Sequence, residues 1–326
     1  MNDSFARKRN GTIDLLRVMG LFLVISAHCG FSPWFTNARD FDVILLMFVS
    51  GISFALTCRT AETYADYVKK RFLRLILPVW VFLTIFFLFF RLIGRTFSPG
   101  EILQSYLLLA GGVLFVWVYR VFFTSALLNP FLIRIRDKAD PMLLSLSALA
   151  VLLLNDLLSL RVFALIGGVG KVLQYLFTYT IAYGTVSFEG MVFERTGEKK
   201  RIALAALFAV SFLISGVFLK FPVFYDFKYP PALYYVSYGL AWSIALYLLF
   251  CRVSLAGMPG QVITWLSVHT MDIFMWHIFA FYLLDTLRPD LMNEPWLDLA
   301  VFTLGGILGA YGQQKISMLW KKGKKG

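Results

Sequence analysis

Asp14, Arg17 and His28 lie within the first strongly apolar stretch of the chain, Ile13 to Phe31. An Arg or Asp at the centre of a membrane helix costs roughly 2.5 to 3.5 kcal/mol on insertion scales, so its default reading is a functional site. Arg17 and His28 are eleven residues apart. On a continuous helix that is close to three turns, which puts both on one face about 16 Å apart along the axis. Asp14 precedes Arg17 by one turn and is spaced to orient or neutralise its guanidinium. Imidazole is the side chain best suited to move protons near neutral pH. Taken alone, His28 fits equally well as a donor to a neighbouring helix carbonyl; the charged pair on the same face favours chemistry.

Arg71 and Arg74 are three apart, so on a helix they share a face and form a fork for a phosphate or carboxylate. Basic residues there also serve topology, and spacing alone does not separate the two roles. In LMFVSGISFAL, Ser50 and Gly51 are small residues that let helices approach closely, and packing explains them better than catalysis does. In VHTMDIFMWHIF, His269 and Asp272 share a face while His277 lies nearer the face of Thr270. The two histidines lack the one-turn spacing of helical zinc ligands, so no metal site is expected. Arg120 and Lys171 are single charges in apolar spans, suited either to a polar cavity or to snorkelling. Cys29, Cys58 and Cys251 are odd in number and give neither a disulfide framework nor a metal pattern. On a helix, Cys29 points about 100° away from His28, which argues against a Cys-His nucleophile.

The elements that must position these residues are membrane helices. Apolar residues fill 59% of the 326 positions and the mean hydropathy is +0.72, so the chain belongs to the membrane class. The expectation is an all-α polytopic protein with about ten spans, near 13–32, 41–58, 75–93, 113–132, 142–160, 162–187, 202–221, 230–251, 262–285 and 295–312. The segment ETYADYVKKRFLRLILP has the pattern of an interfacial helix, with Pro78 at the start of the third span. Gly111 and Gly112 set a short or re-entrant helix at 101–110 apart from span four. A polar loop around Asn155, Asp156 and Arg161 is expected between spans five and six, and another at 194–201. No repeat or soluble domain is expected: residues 1–326 read as a single transmembrane domain, with a short basic tail at 315–326 and no cleavable leader.

The net charge of +12 raises the question of nucleic acid, and its distribution answers it. With the N-terminus inside, twenty-one Lys and Arg fall on the cytoplasmic side. They include Arg7, Lys8 and Arg9, the group from Arg59 to Arg74, Arg134, Arg136, Lys138, Arg195, the run Lys199 to Arg201, and the tail lysines. Seven fall on the other face: Arg39, Arg91, Arg95, Arg161, Lys220, Lys228 and Arg288. That bias supports an even number of crossings with both termini cytoplasmic. The positive charge is thus a topology signal and an attraction for anionic lipid headgroups, and no nucleic acid partner is expected.

IDLLRVMGLFLVISAHCG, MFVSGISFAL, YVKKRFLRLILPVW and TMDIFMWHIF, in that order, resemble the acyltransferase 3 family of integral membrane acyltransferases, including enzymes that O-acylate bacterial surface polysaccharides. A basic residue followed after ten positions by His matches Arg17 and His28. The family's R-x-x-R matches Arg71 and Arg74, and its Ser-Gly element matches Ser50 and Gly51. A late S-x-E-I-Y-x-x-H pattern is approximated by Thr270, Asp272, Ile273, Phe274 and His277, with Thr, Asp and Phe replacing Ser, Glu and Tyr. The segment FKYPPALYY also looks like the sugar O-acetylase branches, and the span-ten end of the chain like the form without a fused esterase-like domain.

The resemblance implies O-acyl transfer, with acetyl as the expected group, from cytoplasmic acyl-CoA to a hydroxyl of a carbohydrate or cell-envelope glycan in the cell membrane. It implies His28 and Asp14 as the catalytic residues, His28 as general base or, as the second choice, as the residue that accepts the acyl group itself, with donor phosphates at Arg17, Arg71 and Arg74, and substrate contacts from Ser50, Asp272 and His277. No bound cofactor is implied, since acyl-CoA enters as a substrate. The helical distance from Arg17 to His28 is comparable to an extended pantetheine arm. The competing reading is a transporter of a small organic anion or lipid-linked precursor, since intramembrane charges also mark transport paths. The chain shows no pair of discontinuous helices in matching halves, which repeat-built carriers display.

Overall fold

The computed structural model describes residues 10–58, 63–162, 165, 167–254 and 256–323, and the regular elements among them are all helices. Arg7, Lys8, Arg9, Arg59, Lys324, Lys325 and Gly326, used above for topology, lie outside the described residues, as do the side chains of Lys321 and Lys322.

Asn10 caps helix α1 (Gly11–Ser26), its side chain accepting from the Thr12 and Ile13 amides. The helix stops sooner than the apolar run does. The amides of Ala27 and His28 bond the Val24 and Ile25 carbonyls in tightened turns, and Gly30 takes φ +61°. His28 therefore stands just past the end of α1, and the expected three-turn ladder from Arg17 does not run unbroken to it. Ser32 and Pro33 then open the short α2 (Pro33–Ala38), which leads to α3 (Asp42–Thr57).

Thr63 caps α4 (Tyr64–Leu75), the expected amphipathic helix, and Pro78 sits in the first turn of α5 (Leu77–Leu92). A Ser98–Glu101 capping box starts α6 (Pro99–Tyr106), the short helix expected ahead of the glycine pair, and a single turn at Val113–Phe115 leads to α7 (Trp117–Arg136). Helix α8 (Pro141–Leu157) continues as a π turn, Leu158–Val162. The expected loop at Asn155 and Asp156 is therefore helix end. Asn155 is buried and donates to the Thr178 carbonyl, while Asp156 accepts the Leu233 amide, so tertiary partners use the polarity that suggested a loop. Helix α9 (Gly167–Leu173), a π segment at Gln174–Thr178 and α10 (Tyr179–Glu194) follow. The expected break at 194–201 narrows to Arg195–Gly197, because Glu198 to Arg201 already belong to α11 (Glu198–Leu219). The remaining helices are α12 (Tyr225–Lys228), α13 (Leu233–Phe250), α14 (Gly257–Val268), α15 (Thr270–Leu287) and α16 (Pro295–Gly323).

Helix α10 is buried on every side from Ala182 through Phe193 and packs along α3 at the centre of the bundle. Glycines permit that packing. A Cβ on Gly51 would stand 1.9 Å from the Ser187 carbonyl oxygen, and one on Gly190 2.1 Å from that of Phe48. The two backbones touch where any side chain would hold them apart. Around this pair, α5, α8 and α11 bury one stripe each and turn Leu88, Leu154 and Phe218 outward, the last 83% exposed. Leaving such side chains in water forgoes about 1.5 to 3 kcal/mol apiece; hydrocarbon is the solvent that fits them. Every expected span carries helix. Among the described residues, six segments are long and apolar enough to cross a membrane: Pro33–Thr57, Tyr64–Leu92, Trp117–Arg136, Pro141–Arg161, Glu198–Leu219 and Leu233–Phe250. The protein is an all-α polytopic membrane protein.

Candidate functional site

A cavity of about 610 Å³ opens beside the N-terminal end of α1. Asp14 and Arg17 enter it from α1, Ser50 and Ser53 from α3, Arg71 and Arg74 from α4, Asn129 from α7, and Ser267, Thr270 and Met271 from the α14–α15 junction. Five of the eight candidate site residues thus line one space, Asp14, Arg17, Ser50, Arg71 and Arg74, together with Thr270 of the late motif.

Arg17 is fixed in place by groups far away in sequence. Its Nη2 donates to Ser53 Oγ and its Nη1 to Ser267 Oγ, each at 2.8 Å. Ser267 Oγ in turn donates to Asp14 Oδ1 at 2.6 Å, and Asp14 Oδ1 lies 3.5 Å from Arg17 Nη1. The guanidinium is held as a planar fork, with 26% of its side chain still exposed toward the cavity. Such a fork suits an oxyanion. Ser53 and Ser267 were missed in the sequence because a serine in an apolar helix carries no distinguishing pattern; only their opposition to Arg17 gives them a role.

Arg71 and Arg74 reach the cavity because α4 is docked on α7. Tyr67 donates its hydroxyl to the Ala126 carbonyl at 2.8 Å, and Tyr64 donates to that of Leu127 at 3.2 Å. The Ala126 carbonyl is available because Pro130, four residues on and inside α7, has no amide hydrogen to give it. The Arg71 guanidinium lies over the Tyr67 ring, 5.0 Å from its centroid. Three guanidiniums on the walls of one cavity give it the chemistry to hold an anion.

His28 and His277 form a second cluster, outside that lining. Their ring centroids are 5.6 Å apart, and His28 also packs on Phe115 at 4.4 Å and Phe281 at 6.0 Å. Phe115 holds φ +51°, a left-handed conformation uncommon for a bulky residue, which the surrounding packing must enforce. His277 is fully buried, and among the described residues neither of its ring nitrogens has a hydrogen-bond partner. Helices α1 and α15 connect the two clusters: Arg17 leads toward His28 on one, Thr270 and Met271 toward His277 on the other. Phe274 lies between on α15, packed on His277 at 5.2 Å and on Tyr119 at 5.5 Å. Cys29 is buried and bonds the Ile25 carbonyl, apart from the imidazoles.

Asp272 joins neither cluster. It meets His269 Nδ1 at 3.1 Å, as their shared face predicts, and accepts from Gln313 Nε2 at 3.0 Å, which ties α15 to α16. Lys171 is exposed, while Arg120 is buried. Two charges assigned to loops are also buried. Lys228 contacts Asp40 at 2.5 Å and Asp42 at 3.2 Å, and Arg39 contacts Asp42 at 2.6 Å, in a closed network near the His28 end of the bundle. Among the described residues, no group of three or more His, Cys, Asp or Glu is placed to hold a metal ion.

A family model described as an acyltransferase domain matches residues 10–312, a stretch that contains both clusters. Neither a curated protein nor a solved structure matches the chain.

Proposed function

The chain belongs to the family of acyltransferase domains, and from that premise we propose that it moves an acyl group, acetyl by first choice, from acyl-CoA to a hydroxyl of a carbohydrate or cell-envelope glycan. The observation that carries this reading is the convergence of Arg17, Arg71 and Arg74 on one cavity. A nucleotide-bearing thioester has several phosphates for such a cavity to hold, and its pantetheine arm is long enough to leave the phosphates behind and reach inward.

The chemistry then falls to His28. An imidazole nitrogen takes the proton from the acceptor hydroxyl as its oxygen attacks the thioester carbonyl. The new C–O bond forms, the C–S bond breaks, and the departing CoA sulfur carries the electron pair and takes the proton back from the imidazolium, leaving CoA thiol and a neutral His28. Asp14 acts at one remove, holding Ser267 and Arg17 rather than touching the reacting atoms. Ser50 lines the donor cavity and is placed to contact donor, and His277 faces His28 where a bound acceptor would lie. Phe274 and Tyr119 separate the clusters, so the arm must pass or displace them. The charge bias along the chain supports a cytoplasmic cavity end, with both termini on the inner side of the cell membrane.

Purified protein supplied with acetyl-CoA should release free thiol in a manner that depends on a hydroxyl acceptor, and surface glycans of cells lacking the protein should lose the matching acyl mass. Liposomes containing it that accumulate a small organic anion without consuming thioester would point to a carrier instead. For orientation, a cysteine at Lys199 should label only from the cytoplasm. Lys228 is buried and unsuitable as the outer probe, and neighbouring Tyr225, 70% exposed, should label from outside; external labelling at 199 would reverse the orientation.

A further inference from the structure

Arg120 poses a problem that the donor cavity and the histidine cluster leave unsolved. It is one turn into α7, only 8% exposed, and among the described residues neither Nη1 nor Nη2 has a hydrogen-bond partner. A buried guanidinium without a counter-ion is among the costliest groups a protein can carry. Its guanidinium carbon lies 3.5 Å from the centroid of the Tyr175 ring and 5.6 Å from that of Tyr179. Such stacking, with the electrostatic pull of the adjacent Tyr175 hydroxyl, offsets part of the cost, but that hydroxyl meets neither terminal nitrogen in hydrogen-bond geometry, so the fork still has donors to give.

The surroundings are aromatic and equally short of partners. The hydroxyls of Tyr175 and Tyr183 are buried and have no hydrogen-bond partner among the described residues. Trp117 packs against Tyr179 and Tyr183, and against Tyr229 at 5.6 Å. Tyr229 is 38% exposed and so gives the group a side open to ligand. The carboxylates that act on Tyr183 and Tyr229 are already committed: Asp40 and Asp42 are engaged by Lys228 and Arg39, and Lys228 Nζ sits over the Tyr229 ring at 5.8 Å.

We propose that Arg120, with Tyr175, Tyr183 and the Trp117–Tyr229 ring pair, forms a binding site for an oxyanion carried on a sugar. This rests on the acyltransferase reading only in assigning the ligand as acceptor. The guanidinium fork takes the oxyanion, the tyrosine hydroxyls donate beside it, and the exposed aromatic edge packs against the sugar ring. The site lies at the end of α7 opposite Arg134 and Arg136; the lining of the donor cavity reaches Phe122 on α7 but does not include Arg120, which lies about 200° round the helix from Phe122. The oxyanion can come from a uronic acid carboxylate in the glycan or from the diphosphate of a lipid-linked sugar.

Full-length protein in nanodiscs, with no acyl donor present, is titrated with a glucuronic acid disaccharide, its methyl ester, and a short polyprenyl diphosphate sugar. At least one charged ligand should bind about tenfold or more tightly than the neutral ester, about 1.4 kcal/mol. Arg120→Gln should remove that preference while CoA still binds, and Tyr175→Phe should weaken it less. Preference for the acid alone identifies a glycan carboxylate, and preference for the diphosphate alone a lipid carrier. Equal binding of ester and charged ligands by the unmodified protein overturns the proposal without any variant, as does an undiminished preference in folded Arg120→Gln. Because no thioester is involved, a protein that binds the anion yet transfers nothing would sink the acyltransferase reading and leave this site standing.

Discussion

Pro130 frees the Ala126 carbonyl that Tyr67 then takes, so a proline inside α7 and a tyrosine on α4 settle one hydrogen-bonding deficit between them. The consequence reaches the cavity proposed for the donor, because α4 carries Arg71 and Arg74 to its wall.

Tyr67→Phe should orphan that carbonyl at a cost of about 1 to 3 kcal/mol and loosen α4, raising the KM for acyl-CoA more than it lowers kcat. Pro130→Ala restores an amide to Ala126, so in the double variant the cost of losing the Tyr67 hydroxyl should shrink. A thermal-unfolding and KM cycle over the four proteins reads the coupling. Strict additivity would mean that the two residues act separately.

Ser267→Ala removes the hydroxyl that accepts from Arg17 and donates to Asp14. The pair is then left at its 3.5 Å separation without a bridge. A stability loss of about 1 kcal/mol and weaker donor binding are expected, with Ser267→Thr retaining more of both than Ala does. Isothermal titration with CoA on folded protein provides the check; unchanged affinity in the alanine variant would remove Ser267 from the site.

Replacing Arg71 or Arg74 with Lys keeps the charge that sets topology and deletes the planar fork. Donor affinity should fall by roughly tenfold for each, with insertion unchanged. If both lysine variants bind CoA as the unmodified protein does, topology alone accounts for these arginines.

His28→Ala should lower kcat by a factor on the order of 10² to 10⁴, with expression and CoA binding intact, because the imidazole acts in the transition state. The comparison needs folded protein at matched amounts across roughly pH 6 to 9. Near-normal transfer by that variant would exclude His28 as the base.

Much of this protein was fixed by its local sequence. Spans could be read because an uncharged apolar run has few alternatives to a membrane helix, and because Asn10, Thr63, Pro78 and the Ser98–Glu101 box are local start signals whose partners lie within a turn. Asp14, Arg17, Arg71 and Arg74 stood out for the same kind of reason: charge in or beside hydrocarbon is costly wherever the helix goes.

Tertiary structure decided what those charges face. That Ser53 and Ser267 hold Arg17 depends on contacts 36 and 250 residues apart in sequence, which no periodicity reports. The same holds for Lys228, which has the composition of an outer loop charge and is buried against Asp40 and Asp42, 188 and 186 residues away. His28 was legible as a residue but not as a position, since α1 ends at Ser26 in turns that Gly30 completes against Asn293. Sequence registers the cost of placing a polar group in an apolar segment. Which distant side chain offsets that cost, and which group such as Arg120 finds ring faces but no hydrogen-bond partner among the described residues, is settled only when the helices pack.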